Sequence, residues 1–220
     1  MTRIFILLLI LSIEIFSDST TKIVNQKDSI KNLTQEHVVS TVIDLTANEK
    51  KIIASVNGGR QIEYKLTGET ISVSKEFGNM ALIITNKNLL AISNNAFEFA
   101  RQPLYSDENI TYTISNSILF VITNRKIYSY TISSSEWQTI DLTGEYVRSH
   151  AAFDKTGALI TNKRIISYSE FTKDFYFFSI DAFTPVKSYT VLENKIVFDS
   201  LQKTIIFRSA TGEYSVVNFN

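Results

Sequence analysis

From residue 38 onward, short runs rich in Ile, Val, Thr, Tyr and Phe, alternating with polar residues in some places and continuously apolar in others, are broken by Asn, Asp, Gly, Ser and Lys. Runs of this length and composition predict β-strands. No long stretch repeats apolar residues at the three- and four-residue spacing of a helix. The pattern is clearest in the middle of the chain. There it predicts strands at residues 118–123, 126–131, 137–142 and 147–153, then 158–163 and 164–169. Earlier strands are expected at 38–45, 51–56, 61–66 and 70–74, and later ones at 195–199, 203–208 and 214–219.

A longer period lies over the strands. Large side chains seven residues apart recur as Tyr64/Ile71, Ile92/Phe99, Tyr130/Trp137, Tyr168/Phe175 and Phe207/Tyr214, and the first members stand 28, 38, 38 and 39 residues apart. A fixed period in this range marks a propeller or a repeat array. The expected fold is all-β: a β-propeller of about five repeats, each of three to four antiparallel strands. Its alternative is an open or incomplete propeller, because the first unit starts on its inner strand and the last ends on its outer one. The short first step implies a lost or shortened strand near residues 76–80. The first member of each pair should lie on a third strand and the second should start the outer strand, both facing the neighbouring blade. A lone sheet cannot bury its faces, and large flat side chains fill the gap between twisted sheets.

Thr85, Thr123 and Thr161 are 38 residues apart, each followed by Asn and a basic residue. These corners read as hairpin turns in which Asn accepts positive φ, with the base solvated at the rim.

Composition narrows the function. Lys plus Arg and Asp plus Glu both number 22, so net charge is zero, which argues against nucleic acid as a partner. The chain has no cysteine, so no disulfide and no thiolate metal site is expected. Hydrophobic residues make up 44% of it, enough for a packed core. Arg3 precedes the apolar run of residues 4–13, and Ser17 follows, so residues 1–17 read as a signal peptide and the protein as secreted or periplasmic. The run is too short to span a membrane. Residues 18–36 read as a polar linker and residues 37–220 as the repeat domain.

The third unit resembles a Kelch repeat. Tyr130 and Trp137 have the Kelch spacing, and Arg148-Ser149-His150 resembles the corner that follows it, although the Gly-Gly pair of that family stands only at Gly58-Gly59. The first unit resembles a WD-type repeat but lacks both the Gly-His and the Trp-Asp dipeptides. These resemblances imply a β-propeller used as a binding platform, with His150 making a structural hydrogen bond between blades.

Candidate chemistry is sparse. His37 and His150, the two histidines, have no acidic or cysteine cluster beside them. No Gly-x-Ser-x-Gly elbow or phosphate loop occurs, and the Thr-Gly-Glu runs beginning at Thr67, Thr143 and Thr211 read as turns. Asp44, Asp141, Asp154, Asp181 and Asp199 fall at strand ends. Asn32 and Asn109 open N-glycosylation sequons, used in an exported eukaryotic protein and accidental in a bacterial one. The reading is an exported, non-catalytic scaffold for a protein or glycan ligand, without cofactor or metal. Its alternative is a propeller-type glycosidase or lyase with paired carboxylates.

Overall fold

These runs form strands throughout a computed structural model, which describes residues 42–105, 108–180 and 185–219. The expected signal peptide, the linker, His37, Asn32 and Asp181 lie outside the described residues. Among those described are five antiparallel sheets, each a simple meander. Sheet 1 holds β1 (Ile43–Ala47), β2 (Lys51–Val56) and β3 (Arg60–Lys65). Sheet 2 holds β4 (Ile71–Phe77), β5 (Met80–Thr85), β6 (Asn88–Ser93) and β7 (Ala100–Pro103). Sheet 3 holds β8 (Thr111–Ile114), β9 (Ile118–Ile122), β10 (Lys126–Thr131) and β11 (Trp137–Asp141). Sheet 4 holds β12 (Val147–Phe153), β13 (Thr156–Thr161), β14 (Arg164–Ser169) and β15 (Asp174–Ser179). Sheet 5 holds β16 (Ser188–Val191), β17 (Lys195–Asp199), β18 (Lys203–Arg208) and β19 (Glu213–Asn218).

The sheets stack in chain order as propeller-type blades. Four apolar clusters join sheets 1 and 2, 2 and 3, 3 and 4, and 4 and 5. Among the described residues none joins sheet 5 to sheet 1, so the blades form an open array. The central strands of the middle sheets are buried on both faces: every residue of β5, β6, β9 and β13 is buried. This two-sided burial is why these strands read as continuous apolar runs.

The seven-residue pairs are cross-strand neighbours. Tyr130 lies opposite Trp137, Tyr168 opposite Phe175 and Phe207 opposite Tyr214. Each of these pairs packs against the preceding sheet. Trp137 Nε1 donates across the gap to Ala100 O at 3.1 Å, and Tyr214 Oη donates to Tyr176 O at 3.1 Å. Ile92 and Phe99 hold the same place in sheet 2 and face sheet 1.

Tyr64/Ile71 is not such a pair. Tyr64 is on β3 and Ile71 on β4, in different sheets. The residue that caps the equivalent turn gives the true register: Asn48 between β1 and β2 of sheet 1, and Thr85, Thr123, Thr161 and Ser200 between the second and third strands of the other sheets. By that register the sheet 1 counterpart of Ile92 is Ser55, paired with Gln61. Five positions facing backward are apolar in sheet 2 (Ala81, Ile83, Leu90, Ile92, Phe99). In sheet 1 they are Asp44, Thr46, Ile53, Ser55 and Gln61. With no described sheet behind them, these positions meet water and all but Ile53 are polar, as in the capping unit of a repeat array.

Two further expectations are corrected. The strand at 70–74, expected as the fourth of the first unit, opens sheet 2, and β12, expected as the fourth of the third unit, opens sheet 4. No strand is lost near residues 76–80: β4 runs to Phe77 and turns through Gly78 and Asn79 into β5. The short unit is sheet 1, with three strands.

Sheets 3 and 4 fit tightly at Gly157. A Cβ there would overlap the ring of Phe120. Phe120 in turn packs edge-on to Tyr168, with ring centroids 6.0 Å apart. Gly157→Ala should therefore destabilise the protein by about 1–3 kcal/mol in urea unfolding, the usual cost of overpacking. The loss should shrink in a Phe120→Leu background, and equal losses in both backgrounds would refute this contact.

Candidate functional site

An antiparallel meander sends its turns alternately to two ends. One rim carries the β1–β2 turn of sheet 1, the turns between second and third strands of the other sheets, and the linkers between sheets. The opposite rim carries the other turns.

On the first rim the two repeated sequence motifs meet. The Thr85 hydroxyl donates to Glu69 Oε2 at 2.7 Å, and Asn88 Nδ2 donates to the same oxygen at 2.9 Å. Thr161 Oγ1 donates to Glu145 Oε2 at 2.8 Å, and Arg164 Nε adds a bond at 3.1 Å. Thr123 Oγ1 donates to Glu108 at 3.1 Å. The corner Asn86 accepts from Thr70 N, and Asn162 accepts from Tyr146 N, both at 3.0 Å. None of Asn86, Asn124 and Asn162 has positive φ, contrary to the expectation for these corners. The threonine hydroxyl caps the turn instead, accepting from the N–H groups two and three residues on. Thr67-Gly68-Glu69 and Thr143-Gly144-Glu145 are therefore linkers latched to the corners, whereas Thr211-Gly212-Glu213 is the β18–β19 hairpin. Burial pushes the Glu69 carboxyl up, but the bonds from Asn88, Thr85 and Tyr64 outweigh it and hold the group below its ordinary value.

Between the inner strands β8 and β12 the first rim opens into a cleft lined by Asn109, Thr111, Ile122, Thr123, Asn124, Tyr146, Val147, Arg148 and His150. A bulge interrupts the β12–β13 register between Val147 and Ser149 and leaves Arg148 unpaired in the ladder. The Arg148 guanidinium lies 5.7 Å from the Tyr146 ring centre and donates to Tyr146 Oη at 3.5 Å. His150 does not make the inter-blade bond expected of it: among the described residues its buried Nδ1 has no hydrogen-bond partner. The neighbouring Ser149 makes that bond, to Tyr189 Oη at 2.6 Å. Sequence reasoning missed this because adjacent residues on β12 face opposite sheets. Burial lowers the His150 pKa from 6.5. Asn109 of the sequon is exposed at the cleft mouth.

A second cleft lies on the outer side of sheets 2 and 3, between β7 and β11, and holds Glu98, Arg101, Gln102, Glu136 and Trp137. The expected aspartates do not gather in either cleft. Asp141 pairs with Lys126 at 3.4 Å, Asp199 accepts from Thr204 Oγ1 at 2.8 Å, Asp154 lies in the β12–β13 turn at φ 44°, and Asp44 is exposed on sheet 1. No group of three or more His, Asp or Glu able to hold a metal occurs among the described residues. No helix among them is long and apolar enough to cross a membrane.

The second rim carries exposed phenylalanines, which no repeat pattern had marked. Phe97 is 82% exposed, Phe153 55%, Phe171 48% and Phe77 38%. Phe77 and Phe153 end the inner strands of sheets 2 and 4. Arg60 stands over Phe97 at 4.8 Å and Lys155 over Phe171 at 5.2 Å.

No family model matches the chain, and no curated protein matches it. Among solved structures it is similar to the N-terminal domain of Nup159, at 11% identity over 81% of this chain and 58% of that one, with a TM-score of 0.36. It is also similar to Prp20p from Saccharomyces cerevisiae, at 8% identity, 76% and 55% coverage and a TM-score of 0.40. A segment of HIRA matches at 10% identity, 63% and 49% coverage and 0.40. The chain spans between about half and three fifths of the length of these structures.

Two outcomes test this rim. Thr161→Val should cost about 1–3 kcal/mol in chemical unfolding by leaving Glu145 and two turn N–H groups short of a partner, while Thr161→Ser should be close to neutral. For His150 the folded pKa is the lower one, so the unfolded chain takes up the proton first as pH falls. Its contribution is complete above about pH 6.5 and is lost progressively below it. The urea midpoint should fall more steeply below that pH in the parent than in His150→Gln, and parallel profiles would refute the assignment.

Proposed function

We propose that this chain is an exported, non-catalytic β-propeller-type scaffold that binds a protein through its second rim. The observation that carries this reading is the set of exposed phenylalanines Phe77, Phe97, Phe153 and Phe171, with Arg60 and Lys155 stacked on two of them. Aromatic and arginine side chains dominate the energetic centres of protein interfaces. Phenylalanine offers a sugar or a metabolite no hydrogen bond, so a large apolar partner surface suits this rim best. Export rests on Arg3 and the apolar run of residues 4–13.

One observation favours a second reading, binding or cleavage of a glycan. The outer cleft places two exposed carboxylates, Glu98 and Glu136, beside Trp137. Sugar hydrolysis uses two such groups, and sugars stack on indole.

Phe97→Ser/Phe153→Ser separates these readings. A partner captured by the parent should bind the double variant at least about tenfold more weakly, with thermal unfolding unchanged. Undiminished binding would sink the scaffold reading. Glycan binding or turnover that disappears in Glu98→Gln/Glu136→Gln would replace it with the second.

A further inference from the structure

The cleft between β8 and β12 lies on the rim opposite the phenylalanines and has no part in the proposed protein-binding face. Its charge balance is unusual for this neutral protein. Arg148 is exposed on a bulge, and among the described residues no carboxylate lies within ion-pairing reach of it. Among the described residues its hydrogen bond and its ring contact are both with Tyr146. Beside it His150 presents an imidazole whose sealed Nδ1 is unsatisfied. Asn109, Asn124 and Thr111 complete the polar wall. No acidic side chain lines the cleft. The nearby Glu108 spends both oxygens on the Thr123 hydroxyl and the Tyr105 N–H.

We propose that this cleft is a binding site for a single carboxylate group, gripped by the Arg148 guanidinium with His150 and the flanking amide and hydroxyl groups as further donors. A guanidinium presents a planar fork of N–H groups that matches a carboxylate in two parallel bonds. The cleft supplies one permanent positive charge, which a carboxylate cancels and a phosphate dianion would exceed, next to Glu108. The absence of lining carboxylates disfavours a cation. The carboxylate could belong to a peptide terminus, an acidic side chain or a free small acid, and these sources share the same chemistry.

The test is an NMR titration of the full chain, read at the Arg148 Nε–H and the His150 ring protons. Three carboxylate probes are used: acetate, acetyl-Gly-Gly-Ala with a free C terminus, and acetyl-Gly-Glu-Gly-amide. The control is acetyl-Gly-Gly-Ala-amide. Saturable shifts at both residues with at least one carboxylate, and none with the amide control, are expected. Whichever probe binds tightest identifies the source: acetate for a free acid, the other two for a peptide terminus or side chain. Arg148→Gln should weaken that probe at least about tenfold, the loss of one charge-assisted contact. Arg148→Lys should weaken it less. Because Arg148 is exposed, an unchanged thermal transition shows that these variants still fold. No saturable shift into the millimolar range, equal binding of the amide control, or unaltered affinity in Arg148→Gln would each overturn the proposal.

Discussion

Everything in this molecule depends on covering the apolar faces of its sheets. A single four-stranded meander of this composition cannot do so alone, and it becomes stable only against a neighbour. The answer here is face-to-face stacking in chain order, with large side chains wedged into the gaps. Tyr130 and Trp137 fill one gap, Tyr168, Phe175 and Phe120 the next, and Phe207, Tyr214 and Tyr176 the last. Gly157 shows how close the fit is, since the ring of Phe120 occupies the space a Cβ would need. The period of about 38 residues is the length of chain needed to build one such layer and return to the same rim.

Stacking alone would leave each linker free to slide, and the first rim prevents this. Glu69 and Glu145, set in linkers, accept bonds from the threonines that cap the next hairpin. The asparagine beside each threonine holds the following linker residue by its backbone N–H. These bonds connect elements 16 residues apart in sequence, so each blade fixes its own entry point. A rim held by backbone and carboxylate contacts of this kind can carry an unpaired arginine or an exposed ring without disturbing the fold.

The strands and the layered order were legible because burial on two faces writes long apolar runs and an aromatic period into the chain. Three things were not. Strand ownership was hidden because turns within sheets and linkers between them use the same Gly, Asn and Thr chemistry. Sheet 1 was misregistered because Ser55 and Gln61, its true pair, are polar on a face with no neighbour, while the more conspicuous Tyr64 and Ile71 are seven residues apart across a sheet boundary. Both candidate surfaces were invisible as well. Phe97 and Phe171 sit in turns with no periodic signal, and Arg148 reaches its cleft only because a bulge removes it from the ladder.

The polar outer face of sheet 1 also explains how an open array avoids sticking to itself. Lys51 and Glu63 pair across it at 2.8 Å, and Asp44, Thr46 and Gln61 surround the single aliphatic Ile53. Drying such a face against another blade would strip water from charged groups and return little apolar contact. The edge of β1 is guarded too. Its Leu45 N–H donates to Glu76 Oε1 at 2.8 Å, and the Val42 N–H to Gly78 O at 3.0 Å, so β4 and its turn cover donors that a foreign strand could otherwise pair with. Sheet 5 is less completely protected. Its outward face mixes Lys195, Asp199 and Arg208 with Val197, Ile206 and Val217, so charged residues interrupt its aliphatic strip without replacing it. The two ends of the array are therefore unequal, and any contact of the stack with a further apolar surface is energetically favoured at sheet 5 rather than sheet 1.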